Sequence, residues 1–65
     1  MAWLKELRND EKLTAEDVAI AAGITRSGYT NIENGKRRPS VEAAKKIAAV
    51  LGFSWTRFFE SEETE

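Results

Sequence analysis

Arg26, Ser27, Thr30, Asn31 and Asn34 recur at intervals of three and four residues, so on a helix they share one face. The set is hydroxyls, amides and one guanidinium, with no carboxylate and no ammonium. A face that serves only solubility more often carries Glu and Lys. These side chains suit a different chemistry. An Arg fork grips guanine O6 and N7, Asn pairs with adenine, and Ser or Thr bonds either base edge. Gly35 follows, and then three cations in a row, Lys36, Arg37 and Arg38. Such a run suits phosphate oxygens, which supply affinity and salt dependence but no sequence information directly. Taken alone, a cation cluster is equally the mark of a solvated loop.

Composition narrows the alternatives. The chain has 65 residues, enough for one small domain, and contains no Cys and no His. Disulfides and thiolate metal sites are therefore excluded, and the commonest metal ligand and general base are missing. No metal or other cofactor is implied. Glu33, a lone acid on an inward-leaning helix position, has no second titratable group or pocket to make an active site with, so an enzyme is not expected. No apolar run approaches the roughly 18 residues of a membrane span, and the opening "MAWLKELRND" lacks the apolar stretch of a signal peptide. The expectation is a soluble, cytoplasmic protein with no membrane partner.

The net charge of −1 argues against a polyanionic partner, but its distribution does not. Glu60, Glu62, Glu63 and Glu65 gather at the C-terminus; residues 1–59 hold 10 cations against 7 anions. Between Thr25 and Lys46 there are six cations against Glu33 and Glu42 alone. A basic middle is joined to an acidic end.

The elements that must position these residues are helical throughout. Trp3, Leu4 and Leu7 predict a first helix over about Ala2–Arg8, ended by Asn9-Asp10. Thr14 and Asp17 form a capping-box pattern that opens a second helix, with Val18, Ala19 and Ala22 inward and Gly23 as its left-handed stop. Thr25 caps a third, whose inner side is Tyr29 and Ile32 and which stops at Asn34-Gly35. Ser40 caps a fourth, with Glu42 favourable in its first turn and Val41, Ala44, Ile47, Ala48 and Leu51 inward up to Gly52. A short fifth runs from Ser54 to about Phe59. The expected fold is all-α, a five-helix bundle over residues 1–59 followed by an acidic, disordered tail, residues 60–65. Helices two and three are joined by a tight Gly-containing turn, the mark of a helix-turn-helix. Gly28, in the middle of the third helix, is the anomaly: Gly there costs roughly 1 kcal/mol relative to Ala.

The stretch "LTAEDVAIAAGITRSGYTNIENGKRRPSVEAAKKIAAVLGFSWTRFF" resembles the Cro/C1-type (XRE-like) helix-turn-helix family of phage repressors and small bacterial regulators. The resemblance spans about Leu7 to Phe59. It is carried by the Ala19…Gly23 turn, by "IENGKRRPS" and by "IAAVLG". It implies a lambda-repressor-like domain that lays its third helix in the major groove of double-stranded DNA, often as a homodimer on a two-fold operator.

Carried over residue by residue, the resemblance makes Arg26, Ser27, Thr30 and Asn31 the base-reading positions. It makes Thr14, Thr25, Asn34, Lys36, Arg37 and Arg38 the phosphate-contacting ones. It implies an ion pair between Arg8 and Glu33 that locks the third helix to the first. Two positions depart from the family pattern. Ala15 stands where Gln is frequent, removing one DNA contact, and Gly28 stands where Ser or Thr is common. Close packing or mere tolerance would explain Gly28, and so would a nearer approach to the DNA backbone. Phe53 and Phe58 read as core; Trp55 and Phe59 read either as core or as an apolar patch for dimerisation, and Trp3 poses the same choice.

The function expected is a sequence-specific transcriptional regulator, a repressor on a palindromic operator. An antitoxin-like or other protein-interaction module on the same fold is the alternative, with a toxin or regulator as its partner. The acidic overall balance and Ala15 favour that alternative, and the cation loop beside a base-reading face opposes it.

Overall fold

The computed structural model describes residues 1–60, and the remainder of the acidic stretch, 61–65, lies outside the described residues. Five helices follow in order: α1 (Ala2–Asp10), α2 (Ala15–Ala22), α3 (Arg26–Glu33), α4 (Val41–Leu51) and α5 (Arg57–Glu60). No strand occurs among the described residues. The all-α, five-helix architecture expected from the sequence is what the described residues adopt.

The three middle helices begin where their capping residues stand. Thr14 Oγ1 accepts from the Asp17 N–H at 3.0 Å while the Thr14 N–H donates to Asp17 Oδ2 at 3.0 Å, closing the capping box of α2. Thr25 Oγ1 accepts from the Gly28 N–H at 3.0 Å, and Ser40 Oγ from the Ala43 N–H at 3.1 Å. Each cap satisfies a donor the helix itself leaves open and contributes about 1 kcal/mol.

Two helix boundaries differ from the sequence expectation. α1 continues two residues beyond Arg8 to Asp10. It stops because Lys12 turns left-handed, at φ 60°, so that the Lys12 N–H reaches the Asn9 carbonyl (2.9 Å) and the Leu13 N–H that of Arg8 (3.2 Å). That is the bond pattern usually built on Gly, here carried by a lysine. α5 is shorter than Ser54–Phe59 and starts at Arg57. Its approach is a tighter coil in which Arg57, Phe58 and Phe59 donate to carbonyls three residues back, at 3.0, 3.2 and 2.9 Å.

The core is shared by every helix. Leu4 comes from α1, Val18, Ala19 and Ala22 from α2, Tyr29 and Ile32 from α3, Ala44, Ile47 and Leu51 from α4, and Phe58 from α5. α2 lies at the centre, packing on both α3 and α4, while α1 packs on α3. The small side chains of α2 and α4 permit this close approach. Val41 is the one core assignment that the structure reverses: it is 50% exposed. It occupies the first position of α4, at the open end of the helix. Ile20, on the outer side of α2, is 71% exposed.

Aromatic contacts fasten the two ends of the chain together. Trp3 meets Phe53 edge to face at 5.2 Å and Phe58 at 5.4 Å. Trp55 and Phe59, both half-buried against the core, meet at 6.0 Å. The Arg57 guanidinium lies 4.4 Å over the Trp3 ring and the Lys45 ammonium 5.2 Å over Trp55.

Candidate nucleic-acid interface

α2 and α3 are joined by three residues. Gly23 takes φ 74°, a conformation that costs a residue without Cβ little. The Ile24 N–H then bonds back to the Ala19 carbonyl at 3.0 Å, and Thr25 opens α3 at once. The turn fixes α3 against α2 with Tyr29 and Ile32 buried. The opposite side therefore faces outward.

Arg26, Ser27 and Asn34 are exposed there, and Thr30 and Asn31 are half-exposed. Among the described residues, the side chains of Arg26, Ser27, Thr30 and Asn31 make no hydrogen bond or ion pair. Their donors and acceptors are free for a ligand. At the end of α3 the chain bends back: the Asn31 carbonyl accepts both the Lys36 N–H (2.8 Å) and the Arg37 N–H (3.2 Å). This doubled bond ties the backbone of the exposed Lys36 and Arg37 to the last turn of α3, and Arg38, also exposed, follows directly. The structure thus starts the cation run at the end of the helix that carries the polar face.

Thr14 and Thr25 are exposed as well, but both hydroxyl oxygens already accept a cap bond. Each keeps its O–H to donate. The Thr14 N–H is taken by Asp17, whose carboxyl that bond holds below its ordinary range. No cluster of His, Cys, Asp or Glu among the described residues could hold a metal ion.

What locks α3 in place is polar. Arg8 Nε donates to Glu33 Oε2 at 2.8 Å and Arg8 Nη2 to Glu33 Oε1 at 3.1 Å, a two-pronged fork. Arg8 Nη1 also donates to the Leu13 carbonyl at 2.9 Å. The Tyr29 hydroxyl donates to Glu33 Oε2 at 2.9 Å, a third member that reading the sequence overlooked. Tyr29 and Glu33 stand four residues apart on one helix, and that spacing was the available signal. Burial opposes ionisation of Glu33, but the bonds from Arg8 and Tyr29 and the charges of Arg8 and Lys5 outweigh it and hold the carboxyl low. Burial first, and then the bond to Glu33, push the Tyr29 hydroxyl far above its ordinary value.

Gly28 is buried rather than facing the open side of α3. The space its side chain would fill is occupied by the chain's own atoms: a Cβ there would stand 2.9 Å from Thr25 Oγ1 and 3.8 Å from Arg37 Nη1.

Comparison with known proteins places the chain in a family. Residues 4–58 match the family model described as helix-turn-helix. The chain is 57% identical over 58 residues to the uncharacterised HTH-type transcriptional regulator YqaF of Bacillus subtilis, covering 89% of this chain and 76% of that protein. It is 38% identical over 63 residues to the control protein C.MunI of a Mycoplasma species, covering 95% of this chain and 85% of that one. It is also 41% identical over 49 residues to the HTH-type transcriptional repressor RghR of Bacillus subtilis, covering 74% of this chain but 36% of the larger protein. By its matched residues and by the turn between α2 and α3, the chain belongs to the helix-turn-helix family of DNA-binding transcriptional regulators.

Proposed function

We propose that the chain is a sequence-specific repressor that lays α3 in the major groove of a palindromic operator and acts as a cytoplasmic homodimer. Arg26, Ser27, Thr30 and Asn31 read base edges. Thr14, Thr25, Asn34, Lys36, Arg37 and Arg38 contact phosphates. Trp55 and Phe59 lie at the dimer surface. The observation that carries this reading is the unbonded, carboxylate-free face of α3, followed by a run of three cations whose first two members are tied to Asn31 through their backbone. Repression is supported by the likeness to RghR, which is itself a repressor by name. A protein partner, as in an antitoxin-like module, is the second reading, and the exposed Ile20 and Val41 favour it.

Selection of binding sites from random duplexes tests the reading. A two-fold symmetric site is expected, bound with an affinity that falls steeply as salt rises. Arg26→Ala relaxes preference at one base pair, a loss of about 1–3 kcal/mol there, whereas Lys36→Ala weakens all sequences alike and lowers the salt slope by about one. No enrichment of any duplex sequence would sink the DNA reading and leave the protein-partner one.

A further inference from the structure

Gly28 has no obvious reason to be glycine. It is the third residue of α3, and its φ lies outside the left-handed region. Its N–H serves the Thr25 cap, but a cap of this kind does not require glycine. Asp17 and Ala43 occupy the same position in α2 and α4, donate to their own capping hydroxyls at 3.0 and 3.1 Å, and carry a Cβ. Two groups of the chain's own stand around the empty position in α3. Thr25 Oγ1 lies too close to admit a Cβ without shifting, and Arg37 Nη1 lies at contact distance.

Arg37 reaches this point from outside the helix. Its backbone N–H is tied to the Asn31 carbonyl at 3.2 Å, which starts the side chain back along α3 toward the first turn. The guanidinium makes no ion pair or hydrogen bond with any described residue, and its Nη1 stands 3.8 Å from where a Cβ of residue 28 would be. A guanidinium without a carboxylate, resting beside a hydroxyl that can still donate, is a pair of donors aimed at an anion.

Resting on the DNA-binding reading above, we propose that Gly28 is a positioning residue for a phosphate contact. Its missing side chain lets the Arg37 guanidinium lie against the first turn of α3, where it and the Thr25 hydroxyl face the same DNA phosphate. The loop and the recognition helix then grip the backbone as one unit. A side chain reaching beyond Cβ at position 28 takes the space beside Arg37 Nη1 and detaches Arg37 from the helix.

Two measurements test this. In the free protein, nuclear Overhauser contacts between the Gly28 Hα and Arg37 Hδ protons are expected, and their absence overturns the seat whether or not DNA binds. On the selected duplex, Arg37→Ala weakens binding about tenfold in the wild-type background, as loss of a charge-assisted hydrogen bond does. In a Gly28→Leu background, shown by thermal melting to be folded, the same substitution costs less than about threefold, because the contact is already lost. Lys36→Ala costs the same in both backgrounds. A scan of neutral methylphosphonates along the duplex then finds one position where wild type loses affinity and both Arg37→Ala and Gly28→Leu do not. Equal costs of Arg37→Ala in the two backgrounds overturn the proposal while DNA binding itself stands. A wild type that binds no duplex overturns both.

Discussion

Arg8→Ala removes three hydrogen bonds at once: two to the Glu33 carboxylate and one to the Leu13 carbonyl. Glu33 is 8% exposed, so its charge is left in place with the Tyr29 hydroxyl as its remaining side-chain partner. Breaking a buried pair from one side costs about 3–5 kcal/mol. Arg8 is itself 12% exposed and water reaches the edge of the pair, which puts the expected loss near the lower end, about 3 kcal/mol. A single core of this size supplies only about 3–5 kcal/mol in total. The variant should therefore be largely unfolded at 25 °C, or melt at very low urea. Equilibrium urea unfolding followed by Trp3 and Trp55 fluorescence reads this directly, with a slope of about 1 kcal/mol/M expected. Removing both charges, as Arg8→Met with Glu33→Leu, leaves no buried carboxylate behind and should cost distinctly less than Arg8→Ala alone. A loss under about 0.5 kcal/mol for Arg8→Ala, the range of an ordinary surface change, refutes the reasoning.

The same pair sets a pH dependence. The Glu33 carboxyl is held below its unfolded value of 4.5, so its stabilisation is complete above that pH and is lost as pH falls through the folded value. Acid titration of the urea midpoint should show a loss beginning below about pH 4.5 that Glu33→Gln flattens. Tyr29 is shifted the other way, so its contribution is complete below its unfolded value of 10.0 and fades as pH rises beyond it; Tyr29→Phe should blunt the alkaline limb of the same titration. Lys12→Gly replaces the one non-glycine residue with positive φ among those described and should stabilise by about 1 kcal/mol, read as a higher urea midpoint at unchanged slope.

Helix starts were legible because their cause is local. Thr14, Thr25 and Ser40 each stand three residues before the N–H they satisfy, and the sequence displays that spacing openly. Gly23 and Gly52 mark helix ends for the same reason, since their left-handed turns suit glycine. The end of α1 was misread because Lys12 adopts that conformation without being glycine, with its own N–H and that of Leu13 bonded back to Asn9 and Arg8. Exposure at Val41 depends on what covers the end of α4, and no periodicity within the helix encodes that. Arg8 and Glu33 stand 25 positions apart, so no spacing rule links them, and only the family resemblance does. The approach of Arg37 to Gly28 is equally non-local: it depends on how the loop doubles back onto Asn31.

The separation of duties within α3 has an evolutionary corollary. Tyr29, Ile32 and Glu33 hold the helix to the body, while Arg26, Ser27, Thr30 and Asn31 take no part in that attachment. Those four positions can drift to other polar side chains without loosening the scaffold. With the base-reading role proposed for them, a duplicated copy of this chain could acquire a new target sequence through a few surface replacements, each near neutral for stability. Its ancestor's site would be vacated at the same time, so the two copies would part company in what they recognise long before they differ in how they fold.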